Sequence, residues 1–184
     1  MTGFFANEFC QEIHSCAETK LAAHSKQKKK SRAGSYNNTL FNKYDVHFYF
    51  LDLNVERNTT VISGATTIDA IVTSPTLDTF CFELNDNLVI DSVLYNNQLL
   101  NINRIGSIVY AHFNTSVPQN TNVSVRIHYH GDASVTGAGA IGDGFSAGTS
   151  TSWGNRATWS LSEPFSAYEW FPCKQFLQDK ADSA

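Results

Sequence analysis

The stretch VSVRIHYH at residues 123–130 decides the fold class of this chain. Apolar side chains occupy every second position, at Val123, Val125, Ile127 and Tyr129, and polar side chains lie between them. Successive side chains of a strand point to opposite faces of a sheet, so this alternation predicts a strand with one buried face. Each such side chain, once fully buried, stabilises the fold by roughly 1.5–3 kcal/mol, so several strands outweigh the helix propensity of short connections.

Further runs rich in aromatic and β-branched residues lie on both sides of this strand. They cover residues 44–53, 61–72, 79–84, 88–95 and 107–113. Short turn-forming clusters of Asn, Asp, Gly, Pro and Ser separate the runs, and no helical interval lies between them. Residues 35–184 are therefore predicted to form an all-β domain, an antiparallel β-sandwich or saddle-like sheet.

The first 34 residues differ from the rest in charge and in period. They hold six Lys and Arg against three acidic residues, whereas residues 35–184 hold seven against fourteen. Phe5, Phe9, Ile13, Cys16 and Leu21 recur at helical spacing, which predicts one amphipathic helix over about residues 7–29. We interpret the basic run that follows, at residues 26–32, as a solvated helix end.

Composition excludes several broad classes of protein. With 184 residues, 42% of them hydrophobic, the chain can bury an ordinary core, which excludes overall disorder. No apolar run approaches the roughly 18 residues of a membrane span, and a net charge of −4 speaks against a general nucleic-acid binder. The four cysteines, at positions 10, 16, 81 and 173, have neither disulfide-scaffold nor C-x-x-C zinc spacing.

A glycine-rich stretch at residues 131–154 contains seven of the eleven glycines and predicts a long loop or hairpin. Within it, residues 137–142 match the dinucleotide-binding pattern G-x-G-x-x-G. That site requires a helix directly after the pattern, because helix N-terminal amides bind the pyrophosphate. The sequence DGFSAGTS at residues 143–150 cannot sustain a helix, so we reject a nucleotide site.

His128 and His130 are two positions apart on the predicted strand and share one face, where they could bind a metal. Zinc requires at least one further ligand, and the other candidates are scattered. We interpret the pair as the solvated side of an edge strand. The chain also lacks H-E-x-x-H, and we identify no complete catalytic site and no metal site in it.

The last segment carries the most informative pattern. Glu163-Pro164, Ala167, Phe171-Pro172-Cys173 and Lys180-Ala181 follow one another at a spacing that resembles the end of the N-terminal domain of the aminopeptidase N family of zinc peptidases. The strands at residues 44–53, 61–64 and 127–131 are similar to that family in the same order. Two features depart from it: Tyr168 replaces the usual Arg, and Gln175-Phe176-Leu177 replaces the common Asp-Glu-Pro.

The resemblance implies a non-catalytic β domain of a larger metallopeptidase. The catalytic zinc domain, with its H-E-x-x-H helix, is expected in a further part of the same polypeptide, and this chain alone is expected to be inactive. Its partners would be that catalytic domain and the N-terminus of a peptide substrate. The resemblance also implies an exported protein, periplasmic or secreted, although no signal peptide opens this sequence.

Glu163 is the candidate substrate-binding residue, because the family uses a Gln or Glu at this position to bind the free α-amino group. The competing interpretation is that Glu163 merely ends a strand at the surface. Cys173 is expected to be a buried thiol, and Trp159, Trp170 and Phe171 to be core or domain-interface residues. The alternative function is a stand-alone carbohydrate-binding or adhesion module, in which an exposed Trp153 stacks on sugars.

Overall fold

The computed structural model describes residues 38–134, 144–162, 166–176, 179 and 181–184. The predicted helix at residues 7–29 and the segment 1–34 as a whole lie outside these ranges, as does the pattern at 137–142. In the described part, no helix is long and apolar enough to cross a membrane.

The described residues form ten strands and two short 3-10 helices. The strands are β1 (Tyr44–Val55), β2 (Val61–Val72), β3 (Thr76–Glu83), β4 (Leu88–Tyr95), β5 (Gln98–Leu99), β6 (Asn101–Ile105), β7 (Ile108–Pro118), β8 (Asn122–Asp132), β9 (Phe145–Thr149) and β10 (Arg156–Ser160). The 3-10 helices are Thr39–Lys43, before β1, and Ala167–Glu169, after β10.

These strands form three sheets in which every pairing is antiparallel. A five-stranded sheet has the order β1-β2-β8-β4-β5, a three-stranded sheet has the order β3-β7-β6, and β9 and β10 form a hairpin. The predicted antiparallel all-β class is confirmed. The assignment of β8 to a sheet edge is wrong, because β8 lies between β2 and β4 and pairs with both.

Alternation along each strand places one face of each large sheet in a common core. Val123, Val125, Ile127 and Tyr129 on β8 are all at most 2% exposed, as their period predicts. Aromatic contacts join the two sheets. The ring of Tyr44 on β1 stacks on Phe80 of β3 with centroids 4.4 Å apart, and Tyr95 of β4 meets Phe113 of β7 edge-on at 4.9 Å.

Arg104 fastens the three-stranded sheet to the start of β4. Its guanidinium donates to the carbonyl of Leu84 at 2.9 Å, to that of Leu88 at 2.7 Å and to that of Gly106 at 3.1 Å. Burial lowers the pKa of Arg104, while Asp86 at 3.6 Å opposes the shift. Three carbonyl contacts match the fork of donors that an arginine presents.

The last residues of the chain lie along the free edge of β1. Asp182 and Ser183 donate their backbone N–H groups to the carbonyl of His47 at 2.9 and 3.2 Å, and Tyr49 donates to the carbonyl of Ser183 at 3.3 Å. The described end of the chain thus pairs with this edge strand around Phe48.

Four short strands were absent from the sequence prediction. β5 and β6 are only two and five residues long, QL and NINRI, and most of their side chains are exposed, so they carry no clear period-two pattern. β9 and β10 lie in and just after the glycine-rich stretch, where a loop or hairpin was predicted, and the structure shows a hairpin.

Candidate functional site

The candidate site surrounds Glu163, which itself lies outside the described residues together with Pro164 and Phe165. The residues on either side of this gap are well defined by hydrogen bonds. Ser162 ends the hairpin side and Ser166 begins the following segment, and the Ser166 N–H donates to the carbonyl of Ser162 at 3.4 Å. The description of the site therefore consists of the two segments that flank Glu163, residues 144–162 and 166–176.

The first flank is the β9–β10 hairpin, in which Arg156 pairs with Thr149 and Ser160 with Phe145. Just beyond the paired residues, the Leu161 N–H donates to the carbonyl of Gly144 at 3.0 Å. The regular strand pattern thus extends almost to the position of Glu163.

The second flank, residues 166–175, is hydrogen-bonded to the large sheets along its length. The carbonyl of Tyr168 accepts from the Asn85 N–H at 2.8 Å, and the carbonyl of Trp170 accepts from the Tyr129 hydroxyl at 3.1 Å. Glu83 and Cys173 exchange two backbone hydrogen bonds, at 2.8 and 3.0 Å. This segment is consequently fixed to the core without being a long helix or strand.

An aromatic cluster joins the two flanks. Trp170 stacks on Phe145 of the hairpin with centroids 5.7 Å apart, and it meets Phe171 edge-on at 4.7 Å. Phe171 in turn packs against Tyr49 of β1 at 5.8 Å. Trp170 and Phe171 are half-buried and pack against the core.

Trp153 and Trp159 are the exposed aromatic residues of the hairpin. Trp153 lies in the turn and is 81% exposed, whereas Trp159 on β10 is 44% exposed. The ring of Trp159 covers Gly148 on the neighbouring strand, where a Cβ would approach the ring to 3.0 Å.

Two buried carboxylates bind backbone amides next to the candidate site. Glu169 is 6% exposed, and its Oε2 accepts the Gly144 N–H at 2.7 Å. Glu83 is 7% exposed, and its Oε2 accepts the Gln175 N–H at 3.1 Å. Neither contact was predicted from the sequence, since Glu83 ends a strand and Glu169 ends a short 3-10 helix that has no sequence pattern of its own.

Lys174, the residue directly after Cys173, carries a buried positive charge. The Lys174 ammonium donates to the carbonyl of Tyr44 at 2.6 Å and to the carboxylate of Asp179. Burial lowers the pKa of Lys174, and the hydrogen bond to Asp179 opposes that shift. The carboxyl of Asp45 hydrogen-bonds to Asp179, which raises the pKa of Asp45.

The thiols of this region are structural. Cys173 is 3% exposed, as predicted, and burial raises its pKa well above the ordinary value. Burial also raises the pKa of Cys81 to about 12. Since the thiolate is the nucleophilic form, neither thiol is suited to attack a substrate at neutral pH.

The histidine pair on β8 lies on the face of the five-stranded sheet opposite the core. His130 Nδ1 is 3.0 Å from Asp91 Oδ2, and the histidine ring is largely exposed. Among the described residues, no three His, Cys, Asp or Glu side chains come together as metal ligands. These donors do not fit a zinc site.

Comparison with solved structures places this architecture among known folds. The M1 zinc metallopeptidase of Deinococcus radiodurans aligns with a TM-score of 0.62 and 22% identity, over 76% of this chain and 31% of that chain. The fold is one that M1 zinc metallopeptidases contain. A variant of the same enzyme bound to the substrate Tyr-Ser-Ala aligns equally well, with a TM-score of 0.62 and 20% identity over the same shares of both chains, 76% and 31%.

A eukaryotic enzyme contains the same fold. Native leukotriene A4 hydrolase from Saccharomyces cerevisiae aligns with a TM-score of 0.60 and 17% identity, over 85% of this chain and 25% of that chain. The chain thus spans between a quarter and a third of the enzymes it resembles. No protein-family model matches the sequence, and neither does any curated protein.

Proposed function

We propose that this chain is the N-terminal β domain of a zinc aminopeptidase and that Glu163 binds the free α-amino group of the peptide substrate. The catalytic domain of the same polypeptide would hold the zinc and hydrolyse the peptide bond. The observation that carries the proposal is that the sequence motif and the fold point to the same family of enzymes. The spaced residues from Glu163-Pro164 to Lys180-Ala181 occur in a domain with the fold of M1 zinc metallopeptidases.

A carboxylate suits this task because of the charge of the substrate. A peptide α-amino group has a pKa of about 7.7–8.0 and is therefore mostly cationic near neutral pH. A charge-assisted hydrogen bond from this ammonium to a carboxylate is about twice as strong as a neutral one. A peptide without the free amine leaves the carboxylate unpaired, which provides discrimination.

The segments on either side of Glu163 support this assignment. Both flanks are fixed, the hairpin by its pairing and the second segment by its bonds to Asn85, Tyr129 and Glu83. In the Deinococcus structure, the bound substrate is the tripeptide Tyr-Ser-Ala, the class of ligand that we propose here.

Kinetics of the full-length protein test the role of Glu163. Glu163→Ala is expected to lower kcat/KM for aminoacyl p-nitroanilides by about tenfold to a hundredfold, since a hydrogen bond to a charged group contributes roughly 1.5–3 kcal/mol. Glu163→Gln should lower kcat/KM less, because the amide oxygen can still accept a hydrogen bond from the substrate's ammonium group. Glu56→Ala, which removes an exposed carboxylate from the β1–β2 turn, is the control. Unchanged kinetics for Glu163→Ala would reject the assignment.

Glycan binding is the second candidate, and the exposure of Trp153 is the observation in its favour. A sugar ring stacks on an exposed indole. Glycan-array binding that Trp153→Ala abolishes, in a protein with no peptidase activity, would replace the first proposal with this one.

A further inference from the structure

A cleft of about 530 Å³ lies on the five-stranded sheet, across the neighbouring strands β1, β2 and β8. The side chains that line it include His47 and Phe48 of β1, Asp69 of β2, and Asn122 and Ser124 of β8. In the strand register, Asp69 lies opposite Phe48 on one side and opposite Ser124 on the other. The volume falls within the range of roughly 300–1,000 Å³ that is usual for small-molecule sites.

A β-bulge shapes the β1 side of this cleft. The pairing of β1 with β2 shifts register between Val46 and Phe48, so that His47 is an extra residue in β1. A bulge of this kind re-aims side chains, and both His47 and Phe48 line the cleft. The His47 carbonyl accepts the N–H groups of Asp182 at 2.9 Å and Ser183 at 3.2 Å. Backbone hydrogen bonds therefore hold this wall in place.

Asp69 brings an unsatisfied carboxylate to the cleft. Its neighbours in β2, Ile68 and Ala70, are buried in the core, so the Asp69 side chain points to the opposite face of the sheet. Asp69 Oδ1 is nevertheless buried, and it has no hydrogen-bond partner among the described residues. A buried carboxylate oxygen without a partner costs more free energy than a neutral polar atom. A ligand that donates to Asp69 offsets this cost.

The charges around the cleft favour a cation. Among the described residues that line it, His47 is the only basic one, and no Lys or Arg is present. The His47 ring lies next to a different carboxylate, with Nδ1 3.4 Å from Asp182 Oδ2. The lining thus offers Asp69 no positive side chain of its own.

The other side chains of the lining suit an ammonium group on an alkyl chain. An aromatic ring such as that of Phe48 attracts a cation and also packs against apolar groups. The hydroxyl of Ser124 and the amide oxygen of Asn122 can accept hydrogen bonds, and an ammonium group has three to donate.

A divalent metal ion fits these residues less well. In the part of the chain that the structure describes, no three His, Cys, Asp or Glu side chains come together as ligands. A metal ion favours several charged or strongly polar ligands around one point, whereas this cleft combines one carboxylate with a phenyl ring.

We propose that this cleft binds an organic cation that carries a primary ammonium group on a short alkyl chain. Aliphatic diamines and lysyl side chains share this chemistry. Asp69 binds the ammonium group, Asn122 and Ser124 accept its remaining hydrogen bonds, and Phe48 contacts the alkyl chain.

Titration of the isotope-labelled 184-residue chain, followed by amide NMR signals, tests the proposal. The two probes are 1,5-diaminopentane and Nα-acetyl-lysine methylamide, and each should shift the signals of residues 47–48, 69 and 122–124 in a saturable way. The uncharged 1,5-pentanediol should bind at least about tenfold more weakly, because it forms no charge-assisted hydrogen bond with Asp69. The probe that saturates at the lower concentration identifies the source of the ammonium group.

Three variants test the residues. Asp69→Asn removes the charge with little change of shape and should weaken binding of the tighter probe by about tenfold or more. Phe48→Leu keeps an apolar side chain without the aromatic ring and should weaken it by about two- to tenfold. Asp91→Asn removes an exposed carboxylate from β4 of the same sheet and is the matched control, with an expected change of less than about twofold. The spread of the amide signals shows whether each variant is folded.

The proposal is overturned if neither probe gives a saturable shift below about 10 mM, or if the shifts map to other residues. Equal affinity for the diol, or equal losses for Asp69→Asn and Asp91→Asn, would also overturn it. Ca²⁺ that shifts the same signals at lower concentration than both ammonium probes would show a metal site instead. Because the measurement reports binding without hydrolysis, its outcome is independent of the role proposed for Glu163.

Discussion

Lys174 and Asp179 lie together in the interior, on the segment that leaves the aromatic cluster. Their side chains are 3% and 8% exposed, and the ammonium also lies 4.5 Å from the centre of the Tyr44 ring. Asp179 additionally accepts the Val46 N–H at 3.3 Å. Removing one partner of such a pair leaves a buried charge without compensation.

Asp179→Ala is therefore expected to lower the free energy of unfolding by about 3–5 kcal/mol, and the double variant Lys174→Met/Asp179→Ala should recover part of that loss. Chemical denaturation with guanidinium measures both. Asp182→Ala is the matched control, because Asp182 is 81% exposed and lies 3.4 Å from His47. This exposed pair should contribute less than about 1 kcal/mol. Equal losses for Asp179→Ala and Asp182→Ala would contradict the prediction.

Burial of Cys81 predicts a dependence of stability on alkaline pH. Its pKa rises from 9.0 in the unfolded chain to about 12 in the fold, so unfolding releases a proton between these values. The stabilisation from the protonated thiol is complete below pH 9 and is lost as pH rises towards 12, by roughly 1.4 kcal/mol per pH unit.

Comparison of the unmodified chain with Cys81→Ala at pH 7, 9 and 10.5 isolates this contribution. The difference in unfolding free energy between the two should be constant up to about pH 9 and should shrink above it. A difference that stays constant through pH 10.5 would show that Cys81 ionises equally in both states.

At the scale of elements, Gly64 of β2 lies directly against the backbone of β1. This residue has φ +146°, and a Cβ there would lie 2.2 Å from the carbonyl oxygen of Asp52. Gly64→Ala is expected to cost about 2–4 kcal/mol, since it combines strain with a clash against backbone.

Gly106 provides the control for this element. It also has a positive φ, +58°, but a Cβ there meets nothing within 4 Å. Gly106→Ala should therefore cost only the backbone strain, about 1–2 kcal/mol. If thermal unfolding shows equal losses for both variants, the close approach at Gly64 does not contribute.

At the scale of the whole molecule, the described residues share one hydrophobic core. The core residues run from Phe41 to Cys173 and come from both large sheets. The chain spans 31% of the length of the Deinococcus enzyme, and under the proposed function the hydrolysis belongs to the rest of the polypeptide.

The isolated 184-residue chain is accordingly expected to bind zinc at well below one equivalent and to leave aminoacyl p-nitroanilides intact. Equilibrium dialysis followed by metal analysis checks the first outcome, and a chromogenic assay checks the second. One equivalent of tightly held zinc would contradict the assignment of the metal to another domain.

The sequence by itself determined the fold class and most of the strands. Alternation with period two is a local property, and the runs at residues 61–72, 88–95 and 123–130 correspond closely to β2, β4 and β8. The same local patterns led us to reject the nucleotide site and predicted a loop or hairpin in the glycine-rich stretch.

The tertiary structure alone decided which strands are neighbours and which polar groups meet. The period-two pattern of β8 would be the same in a central strand and in an edge strand. The alternation depends on which face of the strand is buried and not on how many of its edges are hydrogen-bonded to neighbouring strands. The contact of Glu169 with Gly144 and that of Lys174 with Tyr44 join residues 25 and 130 positions apart. Such contacts arise from the packing of finished elements, so no local pattern of residue types records them.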